Sequence, residues 1–222
     1  MRNSIVSENL NASAPLEFLR KLYTEGPWCL TAIDPETKDI ETRTFSPQTE
    51  VECKSWIARH NGIQNIYVHV NKVKRALTKK ATRADIKEVN YFHVDVDPGA
   101  PVGLTSDTEI EAHYKRERED ILSRFIPKSE GGRLPDGIPQ PTIVTFSGGG
   151  YQAFWALEHP LDIHGDLDKA EDAARYNQQL EAVFGGDNCH NIDRIMRLPG
   201  TMNIPDAKKR AKGRKPVMAE VI

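Results

Sequence analysis

The sequence predicts a mixed α/β (α+β) domain, on three observations. Helix-patterned segments alternate with short β-rich runs from one end of the chain to the other. Two pairs of β-rich runs are separated only by tight turn sequences. The 222 residues are 38% hydrophobic and 28% charged, a balance that suits one sizeable core rather than a disordered chain.

Ser13 with Pro15 just behind it marks a helix start, with Leu16, Leu19, Leu22 and Tyr23 on one face. Residues 28–33 read as a strand. Asp34-Pro35-Glu36-Thr37 is a turn, and 40–45 alternates as a second strand, giving a hairpin. Ser46-Pro47 opens a helix carrying Val51, Trp56 and Ile57, and 65–70 is a short strand. A basic stretch follows as loop, with a short helix near 83–87. Residues 91–96 are β-rich and stop at Asp97-Pro98-Gly99. Ser106 and Glu109 form a capping box ahead of a charged helix over 110–125. Residues 129–140 are a Gly/Pro-rich loop. Strands at 142–146 and 151–157 flank the Ser147–Gly150 turn, and 167–184 is a helix ended by Gly185-Gly186.

Composition removes several function classes. No apolar run reaches the roughly 18–20 residues of a membrane span, and residues 1–15 carry no apolar signal core. Cys29, Cys53 and Cys189 are widely spaced and odd in number, which predicts free thiols, a cytoplasmic setting and no cysteine-rich zinc site. The net charge of −2 excludes a uniformly basic DNA-coating protein. Positive charge is instead gathered in two clusters. One comprises Lys72, Lys74, Arg75, Lys79, Lys80, Arg83 and Lys87; the other comprises Lys208, Lys209, Arg210, Lys212, Arg214 and Lys215. Either cluster alone reads equally well as a solvated surface.

Three segments carry chemistry. Asp95 and Asp97 end a strand and point to the same face, their α-carbons roughly 7 Å apart by strand rise. Two such carboxylates call for a cation, and hard Mg2+ or Mn2+ takes oxygen ligands; two acids capping a turn is the alternative. Ser147-Gly148-Gly149-Gly150 follows a strand and lets backbone amides approach a phosphate, although no Gly-Lys-Ser/Thr follows as in a P-loop, and a plain hairpin turn is the alternative. In Asn191-Ile192-Asp193-Arg194-Ile195-Met196-Arg197-Leu198-Pro199-Gly200-Thr201-Met202-Asn203, Asp193 could complete a carboxylate set. Arg194 and Arg197 suit phosphate oxygens, while a locally paired structural turn is the alternative.

In this order and spacing, the three segments resemble the motifs of the archaeo-eukaryotic primase superfamily, closest to the primase-polymerases of phages, plasmids and other mobile elements. The similarity covers residues 65–217, and its most specific part is Asp193 to Asn203. The resemblance implies an RNA-recognition-motif-like sheet bearing Asp95, Asp97 and Asp193, with an N-terminal α/β unit packed against it. It divides the chain into a catalytic domain over 1–205 (N-terminal unit 1–64, motif-bearing unit 65–205) and a basic, solvent-exposed tail or linker over 206–222. It implies template-directed nucleotidyl transfer by two metals, Mg2+ or Mn2+, on Asp95, Asp97 and Asp193.

Ser147, Gly149, Gln152, Arg194 and Arg197 are then expected at the phosphates of an NTP or dNTP. Lys72, Lys74, Arg75, Lys79, Lys80 and Arg83 are expected at a single-stranded DNA template or the triphosphate. One departure stands out: Gln152 occupies the place where the family often has a His, and Gln donates a hydrogen bond without charge. Family members often continue into a helicase, so a fragment and a stand-alone module are both open. A replication-initiator module without catalysis and a metal-dependent nuclease are the competing readings.

Overall fold

The computed structural model describes residues 13–222; residues 1–12, expected in the N-terminal unit, lie outside them. Helix α1 (Ala14–Leu22) buries Leu16, Leu19 and Leu22 of the predicted stripe, with Tyr23 buried just past its end, and also Phe18, which the stripe did not include. The hairpin β1 (Trp28–Ile33) and β2 (Ile40–Phe45) follows with the expected bounds, Leu30 opposite Arg43 and Ile33 opposite Ile40. A single 3₁₀ turn over Pro47–Thr49 delays α2 (Glu50–His60), and this rotates its buried face. Cys53, Trp56, Ile57 and His60 face inward, and Val51, expected among them, is 79% exposed.

Strands β3 (Asn65–His69) and β4 (Lys72–Val73) lead through the basic loop to β5 (Ile86–Val96). The short helix expected near 83–87 is a 3₁₀ turn, Arg83–Asp85, whose Thr82/Asp85 capping pair delivers the chain directly into β5. Helix α3 (Asp107–Ser123) starts on the Ser106 cap, which accepts a bond from the Glu109 amide.

Strands β6 (Ile143–Phe146) and β7 (Tyr151–Asp162) come next, then α4 (Leu167–Phe184). Strand β7 runs five residues past its expected end. Its register against β5 jumps from Tyr91–Ala156 to Val89–Leu161, so Pro160 falls in a bulge where no ladder hydrogen bond is demanded of it. After α4 come β8 (Ile195–Arg197), β9 (Met202–Asn203), α5 (Ala207–Arg210), β10 (Val217–Met218) and β11 (Glu220–Val221).

The strands form two main antiparallel sheets, β2-β1-β3-β8 and β11-β6-β7-β5-β4, with β9-β10 as a separate ribbon. On the five-stranded sheet, Val94, Val96, Ala153 and Trp155 pack under the end of α3 and the C-terminal half of α4. Tyr91, Ile143 and Phe154 instead join α1, α2 and the four-stranded sheet in one core. The mixed α/β class therefore stands. Two placements do not. Strand β8, entered from Asp193, pairs with β3 in the four-stranded sheet, so Asp193 is not carried by the sheet bearing Asp95 and Asp97. Residues 206–222 are no unattached tail: β11 pairs with β6 as an edge strand, β10 pairs with β9, and Ala219 is buried, while most of the basic side chains are exposed as expected. Backbone pairing anchors the stretch and leaves its charges at the surface.

Candidate active site

A polar pocket of about 210 Å³ opens between the two sheets, at the end of β5. Asp95 and Asp97 line it, as expected from their shared strand face. Asp95 lies in one row with Gln152 and Thr145 across β5, β7 and β6. Loss of water around Asp95, then repulsion from Asp97, push its carboxyl up to about 7, with Asp187 adding to the effect and Gln152 and Arg194 opposing it.

Asp187 is the residue that the sequence reading passed over. Gly185 closes α4 in the left-handed conformation, with φ 68°. A side chain at Gly186 would sit 2.5 Å from Val94 and 3.1 Å from the Asp95 carbonyl, so only glycine lets the chain run this close to β5. The Asp187 amide then donates to the Asp95 carbonyl at 2.8 Å, which sets its carboxylate in the same pocket. Burial and Asp97 raise the Asp187 carboxyl above the usual range. His93, fully buried and bonded to the Cys189 carbonyl at 3.1 Å, pins this crossing, while Asn177 donates to the His190 carbonyl and accepts from the His93 amide. The signal available in the sequence was an Asp directly after Gly-Gly, read only as a helix stop.

Asp193 is not among the side chains lining the pocket. The turn entering β8 presents Arg194 to it instead, and one Asp193 carboxylate oxygen is buried without a hydrogen-bond partner. Among the described residues no group of three His, Cys, Asp or Glu side chains stands close enough to hold a metal ion on its own.

The remaining motif residues are interlocked. Gln152 is buried; its Nε2 donates to Asp95 Oδ2 at 3.2 Å, and its Oε1 accepts from the Arg197 amide at 3.0 Å. Gln152 thus ties the two sheets together, and one side of its amide is spent on an acid rather than offered to a phosphate. Ser147 Oγ closes its own turn, donating to the Gly150 carbonyl and accepting from the Gly149 and Gly150 amides at 3.1–3.3 Å. Arg197 stacks on Tyr67 with 4.3 Å between guanidinium and ring centre, and its Nη2 donates to Tyr67 Oη and Asn203 Oδ1. Asn203 donates in turn to the Ser147 carbonyl at 2.9 Å, and Gly148, with φ 89°, leaves the room for that approach. Arg194 Nε and Arg197 Nη1 are buried without partners. Such N–H groups cost free energy unless an anion meets them.

The pocket's set of cations is completed by residues expected in the tail. Lys209, Arg214 and Lys215 all line it. Lys209 Nζ stands 4.0 Å from Asp97, and Arg214 donates to the Gly149 carbonyl at 2.9 Å. None of Lys72, Lys74, Arg75, Lys79, Lys80 and Arg83 lines it. Lys72 pairs with Glu88, Arg75 with Asp85, and Arg83 with Glu171. The three cysteines are free and buried, and among the described residues no helix is long and apolar enough to cross a membrane.

Residues 128–220 match the family model of the RepB DNA-primase N-terminal domain. A structure described as the crystal structure of primase RepB′ matches with a TM-score of 0.55 at 13% identity, covering 96% of this chain and 55% of that one. The crystal structure of the catalytic domain of primase RepB′ in complex with initiator DNA matches at 0.49 and 15%, covering 94% of this chain and 82% of that one. The chain thus spans 55% of the length of the first of these. No curated protein sequence matches it. The family match takes in the glycine turn, Asp187, the Arg194–Asn203 segment and the C-terminal strands. The resemblance to the archaeo-eukaryotic primase superfamily is borne out, and the mixed α/β fold is similar to that of primase RepB′.

Proposed function

We propose, for a chain with the fold of a RepB-type primase of the archaeo-eukaryotic primase superfamily, that it is a DNA primase acting in the replication of a plasmid, phage or other mobile element. It would transfer nucleotides from NTP or dNTP onto a growing strand paired to a single-stranded DNA template. The observation that carries this reading is one pocket lined both by the acids Asp95, Asp97 and Asp187 and by the cations Arg194, Arg197 and Lys209.

The acids suit a divalent cation. Asp95 and Asp97 repel each other at the pocket floor, which a cation would relieve. Mg2+ is commonly held by one or two carboxylates together with substrate phosphates and water, so a self-sufficient three-carboxylate cage is not required. When bound, Mg2+ or Mn2+ would supply the charge that activates a 3′-hydroxyl and neutralises departing pyrophosphate. Asp95 and Asp97 are the proposed ligands. The third carboxylate is assigned to Asp187, in place of Asp193, because Asp187 shares the pocket and the backbone of Asp95.

Arg194 and Arg197, which line the same pocket, are the proposed partners of the triphosphate oxygens, guanidinium fork against phosphate. Gln152, in place of the His that the resemblance leads one to expect, orients Asp95 and the Arg197 backbone relative to each other and so is compatible with Asp95 as a proposed metal ligand.

The test is incubation with single-stranded DNA, each nucleotide set and either metal. New strands of defined length in the wild type, absent from Asp95→Asn, support the reading. Degradation of the template instead would assign the pocket to hydrolysis, and triphosphate binding without product would assign it to a binding module.

A further inference from the structure

A second cavity, of about 360 Å³, adjoins the catalytic pocket and shares Gly148, Arg214 and Lys215 with it. Its far side is α3, which contributes Tyr114, Lys115 and Arg118. The two cavities are therefore neighbours, meeting at the glycine turn and at Arg214 and Lys215, and the second extends the groove toward α3.

The groove's chemistry is that of a nucleic-acid track. Lys115, Arg118, Arg214 and Lys215 outnumber the one acid in its lining, Glu111, which pairs with Lys215 at 2.5 Å. Two of the cations lie over aromatic rings: Arg214 is 4.1 Å from the centre of Tyr114, and Arg118 is 5.8 Å from that of Phe146. The rings are covered by these guanidinium groups and serve to hold them in place, while cations lined along a groove suit the phosphates of a strand without reading its sequence. Lys115 also pairs with Glu119 at 3.8 Å, and in the basic cluster at 72–83 Lys72, Arg75 and Arg83 pair with acids, so what sets the α3 cations apart is their place beside the catalytic pocket, which the 72–83 cluster does not line.

We propose that the groove between α3 and the strap carrying Arg214 and Lys215 holds the phosphates of the single-stranded nucleic acid as it leaves the catalytic pocket. This rests on the primase reading for the identity of the strand, while the binding itself can be read without catalysis. The measurement is anisotropy of a labelled oligothymidine titrated with the full chain, without metal or nucleotide, over a range of salt.

Lys115→Ala/Arg118→Ala should weaken binding about tenfold or more. It should also flatten the dependence of log K on log salt by about 1.4, since each phosphate neutralised on a single strand adds roughly 0.7 to that slope. Lys115→Glu/Arg118→Glu should weaken it further. Lys115 is exposed and Arg118 half-buried, so neither change opens the core. Triphosphate affinity, measured separately by equilibrium dialysis with Mg2+, should stay within twofold.

Three results overturn the proposal. One is a wild type that does not bind the strand. The second is wild-type binding by both α3 variants. The third is loss of triphosphate affinity by the same factor, which would make the groove part of the nucleotide site. A loss carried by Lys79→Glu/Lys80→Glu instead would move the track to the other basic cluster. Failure of strand synthesis with strand binding and the α3 effect intact would sink the primase reading and leave the groove standing.

Discussion

The acids and the cations of the pocket are positioned by different means. The acids hang on regular structure: β5 register sets Asp95 opposite Gln152, and a close glycine crossing sets Asp187 against the Asp95 backbone. The cations come from pieces distant in sequence, with Arg194 and Arg197 at β8 and Lys209 and Arg214 in the strap folded back from the C-terminus. Carboxylates meant to share a cation need fixed separation, and a strand face provides it. Guanidinium and ammonium groups reach phosphates on long stems, so irregular segments serve them. The difference predicts that isosteric changes to the acids are severe for activity and mild for stability, and that changes to the cations are graded.

The largest effect is expected from Asp97→Asn and Asp95→Asn. Strand synthesis should fall on the order of 10³-fold, roughly 4 kcal/mol in the barrier. The melting temperature should hold or rise, because a repulsive pair has been neutralised. A matching loss of both would mean that the pair is structural. Next, Asp187→Asn should cost about 10–100-fold, the scale of losses around a metal site. Asp193→Asn, assayed beside it, should cost less; the reverse order would return the third carboxylate to Asp193.

Gln152→Ala should follow with about 10-fold in activity and about 1–3 kcal/mol in stability by denaturant unfolding, since it strands the buried Arg197 amide. Lys209→Ala should be smallest. It sits 58% exposed at 4.0 Å from Asp97, so a few-fold rise in KM for the triphosphate with unchanged kcat is expected. A larger loss in kcat would give Lys209 a place at the reacting phosphate.

Much of the acid set was legible in the sequence, because Asp-x-Asp at a strand end is a statement about period two and nothing else. The hairpin of β1 and β2, the length of α4 and the stripe on α1 were legible for the same reason: their periodicity is long enough to count. Asp187 was hidden because the reason for Gly186, a 2.5 Å approach to Val94, is a tertiary contact. The role of Asn203 was hidden likewise, since its bond to the Ser147 carbonyl spans 56 residues. The strap was misread because β10 and β11 are two residues each, too short for alternation to show against a run of lysines and arginines. Charge density, the one signal both basic clusters share, does not distinguish cations already paired from cations facing a pocket.

The central claim is that Asp95 and Asp97 form the metal-holding centre of a strand-synthesising enzyme. The most direct test is de novo synthesis on single-stranded DNA with Mg2+ or Mn2+, wild type beside Asp95→Asn/Asp97→Asn, with folding checked by circular dichroism. The account predicts labelled products from the wild type and none from a folded double variant. Equal product from a folded double variant would contradict it.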